Sequence, residues 1–151
     1  MSAVPQQAAA RAAEPVVYVG FWARFGASLI DSVLVLALMA PLMHMFYGDI
    51  DDWSNAHGFT AFTINYVLPA VAVIAFWFTR GATPGKMVLS AVIVDAQTLE
   101  TPSHGQLIAR YFSYYVSLIP LCLGFLWIAF DKRKQGWHDK IAGTVVIRKP
   151  R

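Results

Sequence analysis

YFSYYVSLIPLCLGFLWIAF, residues 111–130, runs for twenty residues without a charge. At about 1.5 Å per helical residue it is long enough to cross a hydrocarbon core of roughly 30 Å once. It also carries Pro120 and Gly124 near its middle, in LIPLCLG. Proline breaks a helix interior, so the same residues can form two half-helices of about ten residues, each reaching roughly 15 Å. The apex of such a hairpin has to be buried in protein, because irregular backbone facing lipid leaves polar groups unsatisfied. The choice decides the fold. A single crossing puts the following residues on the far side of the membrane, whereas a re-entrant hairpin returns them to the side they came from.

Two further stretches have the same character. Residues 27–47, ASLIDSVLVLALMAPLMHMFY, are interrupted only by Asp31 and His44, and residues 59–78, FTAFTINYVLPAVAVIAFWF, are uncharged. Both predict membrane-crossing helices, bent at Pro41 and Pro69. Aromatic residues near the ends, Phe21, Trp22, Phe46, Tyr47, Trp77, Tyr111 and Trp137, are expected at the membrane interface. Composition agrees. The chain of 151 residues is 57% hydrophobic and 14% charged, against roughly 45–50% and about 25% in soluble domains. Too few polar groups remain to coat a water-soluble globule. A lone cysteine, Cys122, excludes an internal disulfide.

The distribution of basic residues orients the spans. Residues 1–26 contain two, residues 48–58 none, residues 79–110 three and residues 131–151 seven. The N-terminus and the 79–110 segment are therefore expected in the cytoplasm. The loop carrying Asp49, Asp51 and Asp52 is expected outside. A single crossing by residues 111–130 would strand seven basic residues outside, in conflict with that rule; a hairpin would not. Lys132, Arg133 and Lys134 are expected among anionic headgroups, each contributing about 1 kcal/mol.

Between the second and third stretches, residues 87–94 are short and rich in β-branched residues and read as a strand, with residues 143–147 as its partner. Ser103 reads as the N-cap of the next helix. The expected fold is thus an all-α integral membrane protein. It is a small helical bundle with two transmembrane helices, a third kinked or re-entrant apolar helical region and a short cytoplasmic strand pair. A disordered tail is expected over residues 1–17, the membrane domain over 18–148 and a basic end over 149–151. The first apolar segment then serves as the chain's own membrane address.

Few groups offer chemistry. In GFWARFGASLID, Arg24 and Asp31 are seven residues apart, on one helix face and about 10 Å apart along its axis. Arg24 can snorkel to the surface. An aspartate at a helix centre costs on the order of 2.5–3.5 kcal/mol on insertion scales, less near an end. Asp31 is therefore either paired structurally or a proton- or cation-binding carboxylate. His138 and Asp139, in GWHDKIAG, form an acid–base dipeptide with no nucleophile beside it. GATPGKM has three residues instead of four between Gly81 and Gly85, and Met87 where a phosphate loop needs Ser or Thr. DIDDW does not continue into a calcium loop, and His44, His57 and His104 lack zinc spacing. No cofactor, metal, enzymatic activity or nucleic-acid partner is expected. Asn65 is expected to hydrogen-bond to a neighbouring helix.

GFWARFGASLIDSVLV, TPGKMVLSAVIVDAQTLETPSHGQLIARYF and KRKQGWHDKIAGTVVI occur in this order over residues 20–147. Together they resemble the RDD family of small integral membrane proteins, named for one arginine and two aspartates. The resemblance places the arginine on Arg24, the first aspartate on Asp31 and the second on Asp139, with Asp131 the other position considered. Met87 departs from the pattern, since relatives often carry a further basic residue there. The resemblance implies a role in transport, with cation or proton exchange suggested for some members. The candidate charge cluster is Arg24, Asp31 and Asp139, with Asp131, His138 and Arg110 as further candidates. One site made of these groups needs the chain beyond residue 130 on the same side as Arg24, which favours the hairpin. The expected location is the cytoplasmic membrane of a bacterium with both termini inside. The functional reading is a transport-related protein that uses Asp31, with a homo-oligomer supplying the path that so small a chain lacks. Its rival is a non-transporting scaffold or assembly partner in which the charges are structural.

Overall fold

The computed structural model describes residues 15–49 and 57–149; Asp51, Asp52 and most of the expected N-terminal tail lie outside them. Helix α1 (Phe21–Tyr47) starts six residues before the apolar stretch, because Gly20 is extended and Arg24 N already donates to Gly20 O. Its 27 residues make about 40 Å, enough to cross a bilayer with tilt. Leu29, Val33, Leu36 and Leu38 on it are exposed, the surface a lipid-facing helix presents.

The second span is built from α2 (Phe59–Phe62), a π-helical turn (Thr63–Val67) and α3 (Leu68–Arg80). The wider turn has a local cause. The ring of Pro69 would meet the carbonyl of Asn65, four residues earlier, and the π-turn absorbs that clash. Asn65 is exposed and makes no hydrogen bond among the described residues, so the expected link to a neighbouring helix is absent. Ile64 packs on Met39 and Met43 and ties this turn to the far end of α1.

Residues 111–130 lie on two helices, α5 (His104–Leu118) and α6 (Leu123–Phe130), bent by 100° to each other. Leu121 and Cys122 turn the corner in the left-handed conformation, just after Pro120. The limbs are unequal, 15 and 8 residues, because α5 begins before the apolar stretch. Its start is set by a capping box in which Ser103 and Gln106 exchange bonds. Gly124 lets α6 lie against α5: a Cβ there would sit 2.5 Å from Ser117 Cα.

Both ends of the bent pair return to one small sheet. Strands β1 (Ala91–Asp95) and β2 (Thr144–Arg148) pair antiparallel, from Ala91↔Arg148 to Asp95↔Thr144. Gln106, at the start of α5, donates to Asp95 Oδ2 at 2.5 Å. Arg133, just after α6, donates to the carbonyl of Ala96. The residues before α1 dock on the outer edge of β2, with Val19 N to Val146 O at 3.0 Å and Arg148 N to Val17 O at 2.8 Å. Val17, the last residue of the expected tail, thus accepts a bond from β2.

Three sequence expectations need correction here. The strand expected over residues 87–94 starts only at Ala91. Pro84 sits at a helix start after extended Thr83, so Pro84–Val88 forms the short helix α4, and Ser90 in the left-handed region turns the chain into β1. Likewise Gly143 is the left-handed cap of α7 (Trp137–Ala142) and leaves β2 to begin at Thr144. Trp77, expected at the interface, is 1% exposed and lies in the core with Val19, Ile93, Leu107 and Val146.

Candidate functional site

Three elements bring charge together beneath the sheet. Arg24 is in the first turns of α1, Arg110 in α5 and Asp139 in α7, and the Asp139 carboxylate is fully buried between the two guanidinium groups. Arg24 bonds Asp139 Oδ2 through one terminal nitrogen. Its other two nitrogens donate to Lys134 O at 2.5 Å and Val19 O at 2.9 Å. Arg110 pairs with Asp139 Oδ1 and donates to Thr144 Oγ1 at 2.7 Å. Gly136 N donates to Oδ2 at 3.0 Å, so the same carboxylate also caps α7. Burial alone would raise the pKa of this acid. Arg110, and then Arg24, outweigh it and hold Asp139 below the usual carboxylate range.

His138 is wedged between Tyr114 and Phe125, with ring centroids 4.4 and 5.0 Å away. Ser117 Oγ accepts from His138 N at 3.1 Å and lies 3.1 Å from His138 Nδ1. Nε2 faces Asp139 Oδ1 at 3.5 Å, a group that only accepts, which favours the ring proton on Nε2 and Nδ1 as acceptor for the Ser117 hydroxyl. Burial pushes His138 down to about 3, so the ring is neutral at physiological pH.

Asp31 stands apart from this cluster. Two turns along α1 from Arg24, it accepts from Thr83 Oγ1 at 2.5 Å and from Gly85 N at 2.7 Å. Gly85 allows the approach: a Cβ there would fall 2.1 Å from Ala27 O. No cation pairs with Asp31 among the described residues. The structure therefore joins Arg24 to Asp139 and brings in Arg110 and His138, but holds Asp31 in a separate site made of neutral donors. Asp131 is elsewhere again. It pairs with Lys140 at 2.6 Å and accepts from the backbone of Arg133 and Gln135, and these bonds keep it ionised. Of the three expected headgroup contacts, Lys132 is exposed, Arg133 turns inward to Ala96 O, and Lys134 Nζ bonds Ala129 O.

Sequence reasoning missed Thr83, Gly85 and Ser117. Thr83 and Gly85 belong to the GATPGKM stretch that failed as a phosphate loop, and nothing in its spacing marks it as a receiver for Asp31. Ser117 gave no signal beyond being a small polar residue opposite Gly124. Chemically, the Asp139 cluster is a closed ion lock and Asp31 an uncompensated carboxylate.

Residues 18–143 match the RDD family. The chain is 42% identical over 87 residues to an uncharacterised protein of Rickettsia prowazekii, a match covering 58% of this chain and 48% of that protein. It is 28% identical to the uncharacterised membrane protein YteJ of Bacillus subtilis, over 86% of this chain and 80% of that one. With the uncharacterised protein YxaI of the same organism it shares 30% identity over 86% of this chain and 97% of YxaI. No solved structure matches. With the family's model matched over most of its length and two apolar helices long enough to cross a membrane, the chain belongs to the RDD family of membrane proteins.

Proposed function

We propose that this RDD protein has a transport-related function in which Asp31 binds a proton or a cation. One observation carries the reading. Asp31 is the acid on a membrane-length helix whose bonds come from a hydroxyl and a backbone amide, with no countercharge among the described residues. A carboxylate held that way keeps its negative charge available, whereas Asp139 has spent its charge on two arginines. The sheet and the N-terminal end of α1 face the cytoplasm in this reading, supported by the basic residues gathered after residue 130. A second copy of the chain supplies the rest of the path. No catalytic role is assigned. Ser117, His138 and Asp139 have the sequence of a hydrolytic relay, but Ser117 is fully buried under Gly124 and Asp139 is held by two arginines.

Asp31→Asn in proteoliposomes tests this. The asparagine carbonyl can still accept from Gly85, and its amide can donate to Thr83, so the fold is expected to persist. The expected outcome is lost flux across a panel of cation and pH gradients, with an unchanged thermal midpoint. Full flux in the variant, or none in the unmodified protein across the panel, overturns the reading. The scaffold alternative rests on the same bonds, which tie α1 to α4. It predicts no flux in the unmodified chain, and that Asp31→Ala, which keeps neither bond, fails to accumulate while Asp31→Asn does accumulate.

A further inference from the structure

Asn65 lacks a partner where a polar group needs one. It lies in the π-helical turn of the second span, about 9 Å along the axis from Phe59 and about 22 Å from Arg80. Set across a hydrocarbon core of roughly 30 Å, that helix carries the Asn65 amide below the interface. The side chain is exposed and bonds nothing among the described residues. It is also too short to reach water from there. An unpaired polar group in hydrocarbon is costly, because lipid chains offer neither donor nor acceptor. The turn adds to the need: Pro69 brings no N–H, so the helix is one donor short beside the amide.

The other faces of this span are already taken. Ile64, next to Asn65, packs on Met39 and Met43 of α1. Trp77, further along, meets Tyr111 and Tyr114 of α5. The face of Asn65 also carries Phe62, one turn earlier, whose ring centroid is 5.5 Å from that of Tyr66. Both rings are exposed. A polar centre in an apolar surround, uncovered by the described residues of its own chain, is the pattern of a helix–helix contact inside a membrane.

Chemistry and symmetry identify the occupant. An amide both donates and accepts, so two asparagines satisfy each other. Two copies inserted in the same orientation are related by an axis along the membrane normal, and that axis keeps every residue at its own depth. The counterpart of Asn65 therefore arrives at the depth where the amide waits.

We propose that the second span is the contact between two copies of this chain. The two Asn65 amides hydrogen-bond to each other on a two-fold axis, and the Phe62 and Tyr66 rings close around them. This names the face by which the second copy invoked for the transport path attaches. It holds whether or not the chain transports, and its test reads association instead of flux, so the two readings fail separately.

The test uses the full chain in two arms. In native membranes, Asn65→Cys in a Cys122→Ser background is oxidised with copper phenanthroline, beside Val33→Cys on the exposed face of α1. Asn65→Cys is expected to give a covalent product of twice the chain mass, and Val33→Cys is not. In vesicles, energy transfer between donor- and acceptor-labelled copies is followed as lipid dilutes the protein. Asn65→Leu is expected to weaken association about tenfold or more, since each dimer loses its pair of amide bonds; Val33→Leu is expected to match the unmodified chain. Because Asn65 bonds nothing within its own described chain, Asn65→Leu is expected to keep its thermal midpoint at high dilution. The proposal is overturned if Asn65→Cys gives no such product, if the product contains a different protein, or if Val33→Cys cross-links as fully. It is equally overturned if the unmodified copies show no transfer, or if Asn65→Leu associates as tightly as they do. Should Asn65→Leu fail to fold, the oxidation arm and the transfer between unmodified copies decide the matter.

Discussion

Asp31 and Asp139 carry the same carboxylate into the same bundle, and their partners differ in charge. The difference sets what each can do. A buried acid between two arginines stays ionised over the working pH range, and removing one partner of such a pair typically costs several kcal/mol. His138, beside it, titrates instead through the unfolded state. Its folded pKa is depressed to about 3 by burial, against 6.5 for an ordinary histidine. Below pH 6.5 the unfolded chain takes up a proton that the folded chain refuses, so stability falls as pH drops from 6.5 toward 3. The slope is at most about 1.4 kcal/mol per pH unit. Denaturant melts in micelles between pH 7 and 4.5 should show this decline, and His138→Gln should flatten it, since the Asp139 contribution disappears only below the ordinary carboxylate range. A decline unchanged in His138→Gln would show that another group is responsible. At this scale Arg24 and Asp31 were legible as charges at the start of an apolar run, and Asp139 through the family resemblance. The receiver of Asp31 was not, because a hydroxyl and a backbone amide 52 and 54 residues away leave no mark in composition or spacing.

The elements follow local rules where those rules are strong and depart where packing decides. Ser103 announced α5, and Pro120 announced the break after it; Gln106 completes the cap in the structure. The inequality of the two limbs was hidden, because hydrophobicity alone marks the apolar part of a helix and not the polar turns that start it. The strand expected at residue 87 failed because β-branched content outweighed Pro84, which opens a helical turn. Gly124 was read as part of a hairpin apex; it lies two residues past the corner and serves close packing instead. Gly124→Ala puts a methyl 2.5–2.7 Å from the Cα, Cβ and Oγ of Ser117, and the backbone atom among them cannot swing aside. Such overpacking costs about 1–3 kcal/mol. It also pushes Ser117 away from His138. The thermal midpoint of Gly124→Ala in micelles should fall by several degrees, while Gly105→Ala, whose Cβ would meet nothing closer than 4.0 Å, should stay near the unmodified value. Equal midpoints for the two variants would show that α6 does not pack on α5 as described.

At the scale of the whole molecule, the bent pair settles which parts of the chain are neighbours. Counting basic residues opposed a third crossing, and the structure bends this region by 100° between α5 and α6. The sheet gathers the segment before α1, the start of α5, the end of α6 and the last strand at one end of the bundle. Tyr18 bridges Ile147 directly. The two ends of the described chain are therefore expected on one side of the membrane, and Gly58, just before α2, on the other. Single cysteines in a Cys122→Ser background can report this: Pro15→Cys and Lys149→Cys at the sheet end, and His57→Cys at the opposite end. A membrane-impermeant maleimide applied to spheroplasts should label His57→Cys and spare the other two, and inside-out vesicles should reverse the pattern. Cys122 must be replaced because it is exposed at the corner between α5 and α6 and would otherwise add its own signal. Labelling of Lys149→Cys from the same side as His57→Cys would place β2 across the bilayer from Tyr18. The Arg24–Asp139 lock and the sheet could not then coexist in one chain, because no side chain spans a hydrocarbon core of roughly 30 Å.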